Sequence, residues 1–210
     1  MIIGLDAASP DASVALLEPS GELIRSSAGA AGGQGEDLLE ILLDLLADAD
    51  RRLTAVSAIG VGLGPGSFTG LRAALSLAKG RAIGLERPIV GVPSLWAWLE
   101  GEPSARAALS RAGAAQVHLL LRGWPEPRLV AIDGLPNGLA NHQVVAALDL
   151  AAEHHLTSAI GPTRAAETIG RIAARRLAAG DADDVARLEP LYSQLPRGIE
   201  RLDEREIRWL

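Results

Sequence analysis

The chain contains no cysteine, which excludes disulfides, thiolate zinc sites and cysteine nucleophiles together. Aromatic residues make up only 3% of its 210 residues, so the core must be aliphatic and a row of stacking rings, as in single-strand nucleic-acid binders, has few candidates. Excess positive charge is also missing. With 20 Lys and Arg against 26 Asp and Glu, the net charge is −6, which argues against a surface that grips a phosphate backbone unaided. If RNA is involved, another subunit should hold it. No apolar run approaches the ~18 residues of a membrane span, and Asp6 interrupts the opening apolar stretch with no basic segment before it. These absences predict a soluble, cytoplasmic protein. What is present is aliphatic: hydrophobic residues reach 48%, enough for one large domain or two small ones with a core of Leu, Ala, Val and Ile.

Turn and periodicity signals place strands at 2–7, 13–18 and 22–27, separated by Pro10-Asp11 and Pro19-Ser20-Gly21, and predict an antiparallel meander. A helix over 36–49, a strand over 55–63, a helix over 67–83 and a strand over 89–92 follow, giving the order βββαβαβ. Strands joined through helices pair in parallel, so the predicted sheet is mixed, with the meander at one side. Ser94 is placed to cap a helix running to Glu100, and Gly101-Glu102-Pro103 marks a boundary between lobes at 1–102 and 103–210. Beyond it the pattern predicts strands at 116–121 and 128–132, a turn-rich break at 134–141, helices at 142–154 and 164–179, and a helical tail at 197–210. There Arg197, Arg201, Arg205 and Arg208 interleave with carboxylates as a solvated, self-paired face. No internal repeat is visible.

The most informative stretch is Gly64-Pro65-Gly66-Ser67-Phe68-Thr69-Gly70-Leu71-Arg72, a tight loop between a strand and a helix. Backbone amides at a helix start attract anions, yet the spacing fits no familiar phosphate loop. A P-loop needs four residues between its glycines and then Gly-Lys-Ser/Thr, whereas five separate Gly64 from Gly70 and no lysine follows. The dinucleotide fingerprint would need its third glycine one residue earlier, and a nucleophile elbow would need glycines where Pro65 and Thr69 stand. As structure, the glycines allow a sharp turn and close packing, and Ser67 can cap the helix.

This segment resembles the signature of the bacterial TsaB (YeaZ) family of tRNA threonylcarbamoyladenosine biosynthesis proteins. The resemblance extends over Met1–Asp6, Ser13–Leu17, Lys79-Gly80 and Pro88–Leu95, and thins beyond residue 100, where Glu189-Pro190-Leu191-Tyr192 is similar to the family's closing element. Leu109-Ser110-Arg111 stands where the family has an Asp-containing strand opening, and Gln34 is the nearest match to its usual histidine. The resemblance implies an α/β fold of two ribonuclease H-like lobes of the actin-like ATPase type, with mixed sheets covered by helices and the second lobe reduced. It also implies a non-catalytic scaffold that pairs with the catalytic subunit TsaD, joined by TsaE, with tRNA met only through the complex. A homodimer is a further possibility for the isolated chain. Nucleotide and metal are expected in TsaD, and no catalytic residue, cofactor or metal in this chain.

The residues support the same picture without the resemblance. Asp6 ends the first strand where superfamily ATPases carry an acid near metal-bound phosphates, but the following loop, Ala7–Ala12, has no glycine and adds Asp11, which would repel an anion. His118, His142, His154 and His155 lack the spacing of a helical metal pair. The rival readings are an ATP-dependent enzyme of the actin-like superfamily and, least favoured, a peptidase. In the helix after the meander, Asp37, Glu40, Asp44 and Asp48 share a narrow arc and apolar residues cover most of the rest, more than one core contact can bury. Leu38, Leu39, Leu42, Leu43 and Leu46, with Gly70, Ala73, Ala74 and Ala78 on the next helix for close approach, are the predicted partner surface. The loop Gly64, Pro65, Gly66, Ser67, Phe68, Thr69, Gly70 and Arg72 is predicted to be a structural or junction element.

Overall fold

The computed structural model of the chain describes residues 1–28, 38–135, 139, 142–156 and 158–191. Gln34, Asp37, Tyr192 and the predicted tail at 197–210 lie outside the described residues. Strands β1 (Ile2–Asp6), β2 (Ser13–Leu17) and β3 (Leu23–Ala28) form the expected meander. Helix α1 (Leu38–Asp48) leads through a short 3₁₀ turn to β4 (Ala58–Gly62), helix α2 (Phe68–Leu85) and β5 (Ile89–Val92). The sheet order is β3-β2-β1-β4-β5, antiparallel on the meander side and parallel from β1 through β4 to β5, as the crossovers require. After α3 (Ser94–Gly101) come β6 (Ala107–Arg111), β7 (Gln116–Leu121), β8 (Arg128–Ala131), β9 (Val144–Ala146), α4 (Leu148–Glu153), β10 (Ala159–Ile160) and α5 (Ala165–Ala178). The second sheet runs β8-β7-β6-β9-β10, again a meander followed by parallel strands.

The two sheets therefore repeat one topology that no sequence period reveals, and the chain has the fold of two ribonuclease H-like lobes of mixed sheet and helix. Three expectations are corrected. The predicted helix at 142–154 begins instead as β9, because Val144 to Ala146 pair in parallel between β6 and β10; so short an apolar run is ambiguous by periodicity. β6 was not predicted as a strand at all. A division at 102/103 separates the sheets but not their helices: α5, from the second half, covers the first sheet, with Ile169 and Ala173 packed in one cluster with Ile2, Ala15 and Val90.

That packing explains why β1, β2, β4 and β5 are buried along their whole length. On the opposite face α1 and α2 lie over the same sheet, contributing Leu38, Leu42, Leu45 and Leu46 and Ala74, Leu75, Ala78 and Ala82 to a core with Ile3, Val14 and Ile59. Close layering needs small residues: a Cβ at Gly4 would land on the Ala166 carbonyl of α5. Between the lobes, Leu71, Leu95, Trp98 and Leu99 pack on Ala108, Leu120 and Val145. Arg122 ties the boundary down by donating to the carbonyls of Leu99 (2.6 Å), in the last turn of α3, and of Glu102 (2.9 Å) and Ala105 (2.9 Å) just beyond it.

Candidate functional site: the lobe junction and the outer helix layer

The glycine-rich loop leaves the C-terminal end of β4 and sits where the two lobes meet. Gly64 takes φ of +90°, a conformation that favours glycine, and the Gly64–Pro65 peptide is cis. Ser67 caps α2, its hydroxyl accepting from the Gly70 amide at 3.2 Å, as expected. Gly66 and Gly70 serve a different need, which is space: a Cβ on Gly66 would strike the Ala8 carbonyl oxygen, and one on Gly70 the Ala7 carbonyl oxygen. The loop thus lies against the backbone of the β1–β2 turn, where the Ser67 amide donates to the Ala8 carbonyl at 2.8 Å.

Two buried polar clamps hold the loop. In the first, the Ser94 hydroxyl accepts from the Gly64 amide (3.0 Å) and donates to Asp6 Oδ1 (2.7 Å), while Trp98 Nε1 donates to Asp6 Oδ2 (2.9 Å). Ser94 was expected to cap α3; that helix has Pro93 at its N-cap with no side-chain bond, and the Ser94 hydroxyl is spent on the loop. Asp6 is 1% exposed, and burial pushes its carboxyl above the usual carboxylate range despite the bonds from Ser94, Trp98 and the Ala8 backbone. Both Asp6 oxygens are thus engaged, and the Trp98 indole closes over them.

In the second clamp the Ser110 hydroxyl on β6 donates to the Pro65 carbonyl (2.9 Å), and His118 Nδ1 on β7 lies 3.2 Å from the same hydroxyl. Since the serine proton goes to Pro65, a hydrogen bond between the hydroxyl and the imidazole requires the tautomer with the proton on Nδ1. Burial lowers the His118 pKa, and both residues are closed to a substrate, at 2% and 5% exposed. This serine–histidine pair is a fastener. No spacing rule could have found Ser94, Trp98 or Ser110, because their loop and strand partners lie 30 to 92 residues away, and His118, eight residues from Ser110, is placed only through it.

Around the mouth of the junction the charges are acidic. Asp11, in the β1–β2 turn, has its pKa raised by burial and then by the like charge of Asp149 on α4. Arg111, ending β6, is occupied by Glu153 (2.6 Å) and Asp149 (3.6 Å). Among the described residues no cluster of His, Asp and Glu could hold a metal ion. At the other end of the loop Phe68 and Thr69 are exposed, with the Arg72 guanidinium 3.9 Å from the Phe68 ring centroid.

The predicted partner surface divides in two. Leu38, Leu42 and Leu46 on α1 and Gly70, Ala74 and Ala78 on α2 face the chain's own interior, so they are corrected from contact residues to core residues: the sheet takes the wider part of each apolar arc. Leu39 (39% exposed) and Leu43 (50%) remain outside, and Ala73 is half-buried. The outward side of α2 carries Ser76, Gly80, Ile83 and Gly84 instead, with Ile83 65% exposed and open space beside both glycines. Ser76, Gly80 and Gly84 recur at every fourth residue along this side, opposite the alanines that pack on the sheet. Because α1 and α2 lie over one face of the sheet, these residues belong to a common outer layer.

A model of the tRNA N6-adenosine threonylcarbamoyltransferase family, TsaD, matches residues 30–119. The tRNA threonylcarbamoyladenosine biosynthesis protein TsaB of Escherichia coli is 39% identical over 64 residues, and its Haemophilus influenzae counterpart 33% identical over 96. Over these stretches the chain is similar to TsaB. The matches span 28% and 40% of those two proteins' lengths, less than half of either, and 30% and 46% of this chain. Two Pseudomonas aeruginosa structures extend the likeness to the whole fold. YeaZ superposes with a TM-score of 0.68 at 25% identity over 91% of this chain and 98% of that one. A protein described as similar to the peptidase YEAZ gives 0.66 at 26% identity over 92% and 99%. No helix among the described residues of this TsaB-like chain is long and apolar enough to cross a membrane.

The sealed Asp6 sets a pH dependence. Its folded-state pKa is raised, so it favours the folded state most below the unfolded carboxylate range, and that contribution is lost as pH rises through the folded pKa. Asp6→Asn removes this slope. The stability of the wild type minus that of Asp6→Asn, from urea melts between pH 3.5 and pH 8 (about 3.9 being the free Asp value), is expected to fall as pH rises. A difference that stays level, or grows with pH, would show that Asp6 is held as a stabilised carboxylate.

Proposed function

We propose that this TsaB-like chain is a non-catalytic scaffold subunit of the cytoplasmic machinery for tRNA threonylcarbamoyladenosine biosynthesis, and that it pairs with TsaD through the outer layer of α1 and α2. The carrying observation is that layer: Leu39 and Leu43 on α1 and Ile83 on α2 are partly exposed, and a Cβ at Gly80 or Gly84 on α2 would meet open space. An exposed helix-interior glycine costs about 1 kcal/mol relative to Ala and returns nothing to the isolated fold, whereas it lets a second helix approach. Completing the burial of three partly exposed side chains is worth roughly half of 1.5–3 kcal/mol each, so the wider helix surface must share in overcoming the entropic cost of association. The clamped Asp6, the acidic mouth and the closed serine–histidine pair support a chain without its own nucleotide, metal or peptidase chemistry. Nucleotide and metal then belong to TsaD, TsaE joins the pair, tRNA is met through the complex, and a homodimer through the same layer forms when TsaD is absent.

The test is Leu39→Glu with Leu43→Glu. The variant is expected to keep wild-type circular dichroism, since both side chains point outward. Binding to TsaD, followed by titration calorimetry and light scattering, should weaken by at least about 100-fold, equivalent to ~2.7 kcal/mol. A folded variant that still binds TsaD with wild-type affinity would remove α1 from the interface.

A further inference from the structure

The segment after α5 does something the rest of the fold does not require. Residues 181–191 run from the end of α5, on one face of the first sheet, across the free edge of β5 to the other face, where Val185 and Leu188 pack against the core under α1 and α2. Along the way they supply β5 with the bonds a neighbouring strand would make. The Gly91 amide donates to Asp183 Oδ2 at 2.7 Å, the Asp183 amide donates to the Ile89 carbonyl at 2.9 Å, and Arg176 Nη1 donates to the Gly91 carbonyl at 3.0 Å. Ile89 and Asp183 form an isolated antiparallel bridge. Further on, Lys79 on α2 donates to the Ala186 carbonyl (3.4 Å), and the Leu191 amide donates to the Leu63 carbonyl (2.8 Å), just before the glycine-rich loop. Arg176 acts as the latch: its guanidinium meets Asp183 at 3.1 Å through both terminal nitrogens and Asp181 at 2.6 Å through Nε.

We infer that the 181–191 strap is an autoinhibitory cover for the β5 edge, held by Arg176 and Asp183, which blocks antiparallel strand pairing with a second copy of this chain. β5 reads Ile-Val-Gly-Val, uncharged, three-quarters β-branched and free of proline, the composition of a self-pairing segment. An unpaired edge is a template for any extended strand, and the same edge on another copy is present at the same concentration and can meet it about a two-fold axis. Only one carboxylate and one guanidinium stand in for the missing strand at Gly91, so the polar latch is local, while Val185 and Leu188 anchor the rest of the strap to the core. This surface lies at the sheet edge and is distinct from the α1–α2 layer, so the inference does not rest on the proposed pairing with TsaD.

The test uses the full chain with Asp183→Leu, Asp183→Asn and Arg176→Met, each also combined with Leu39→Glu and Leu43→Glu so that association through α1 is removed. Amide exchange at Gly91 and mass by light scattering across a concentration series are read together, with far-ultraviolet circular dichroism as the folding control. In Asp183→Leu, Gly91 exchange should rise at least tenfold and mass should climb with concentration, including in the Leu39→Glu/Leu43→Glu background. Arg176→Met should do the same to a lesser degree, and Asp183→Asn, which keeps the acceptor, should stay close to wild type. If Gly91 exchanges fast while mass stays constant, the strap is a brace and not a cover. Association that vanishes in the Leu39→Glu/Leu43→Glu background would place it on the helices and overturn the inference, and so would unchanged exchange in Asp183→Leu. Should Asp183→Leu unfold, Arg176→Met decides by the same two readings.

Discussion

Gly66→Val is expected to prevent the chain from folding, whereas Ser67→Ala, one residue away, should lose only about 1 kcal/mol, the usual value of a helix N-cap. The contrast follows from what each atom meets. A Cβ at position 66 would overlap the carbonyl oxygen, carbonyl carbon and Cα of Ala8, and this carbonyl cannot retreat because it accepts the Ser67 amide at 2.8 Å. Valine adds two methyls to an overlap that alanine alone would already create. Gly70→Leu should fail in the same way against the Ala7 carbonyl, pushing α2 off the β1–β2 turn. Losses beyond about 4–5 kcal/mol belong to such backbone collisions, and they are comparable with the whole stability of an ordinary domain. Purified yield, circular dichroism and urea melts of the three variants check this. A folded Gly66→Val would mean that the loop does not rest on Ala8, and loss of tRNA modification in Ser67→Ala with fold and complex intact would reopen a nucleophilic role for the serine.

Ile41→Glu with Leu45→Glu should unfold the chain outright. Leu45 is 4% exposed in the cluster that includes Leu42, Leu46, Val14 and Ile59, and Ile41 is half-buried against it. A carboxylate placed there has no cation among those neighbours. It must either stay charged in an apolar site or take up a proton, and either way several kcal/mol are lost along with the packing of two aliphatic side chains. The pair Leu39→Glu and Leu43→Glu, offset by two residues on the same helix, is the matched control, since those side chains point to solvent. Thermal melts of both variants, run beside the binding test above, separate the inward from the outward face of α1. If the Ile41 and Leu45 pair left a folded monomer, the packing of α1 on the sheet would be wrong.

By itself the sequence determined the first lobe and the nature of its central loop. Turn residues at Pro10-Asp11 and Pro19-Ser20-Gly21 delimit strands whose pairing is local, and a strand–helix–strand order leaves parallel pairing as the only short route. The spacing within Gly64 to Arg72 likewise fits no familiar phosphate loop. The second lobe was less legible because β9 and β10 are only three and two residues long, and β6 and β9 pair across a separation that no local window spans. Tertiary structure alone decided four things. It chose which part of α1's wide apolar arc faces the sheet, since periodicity measures an arc and not its partner. It brought α5 back over the first sheet, burying strands on both faces, and it closed Asp6 under Ser94 and Trp98, 88 and 92 residues away. It also laid the strap across β5. Each of these depends on contacts whose cost is chain-loop closure and whose reward is paid in burial, and neither is written in any local window of sequence.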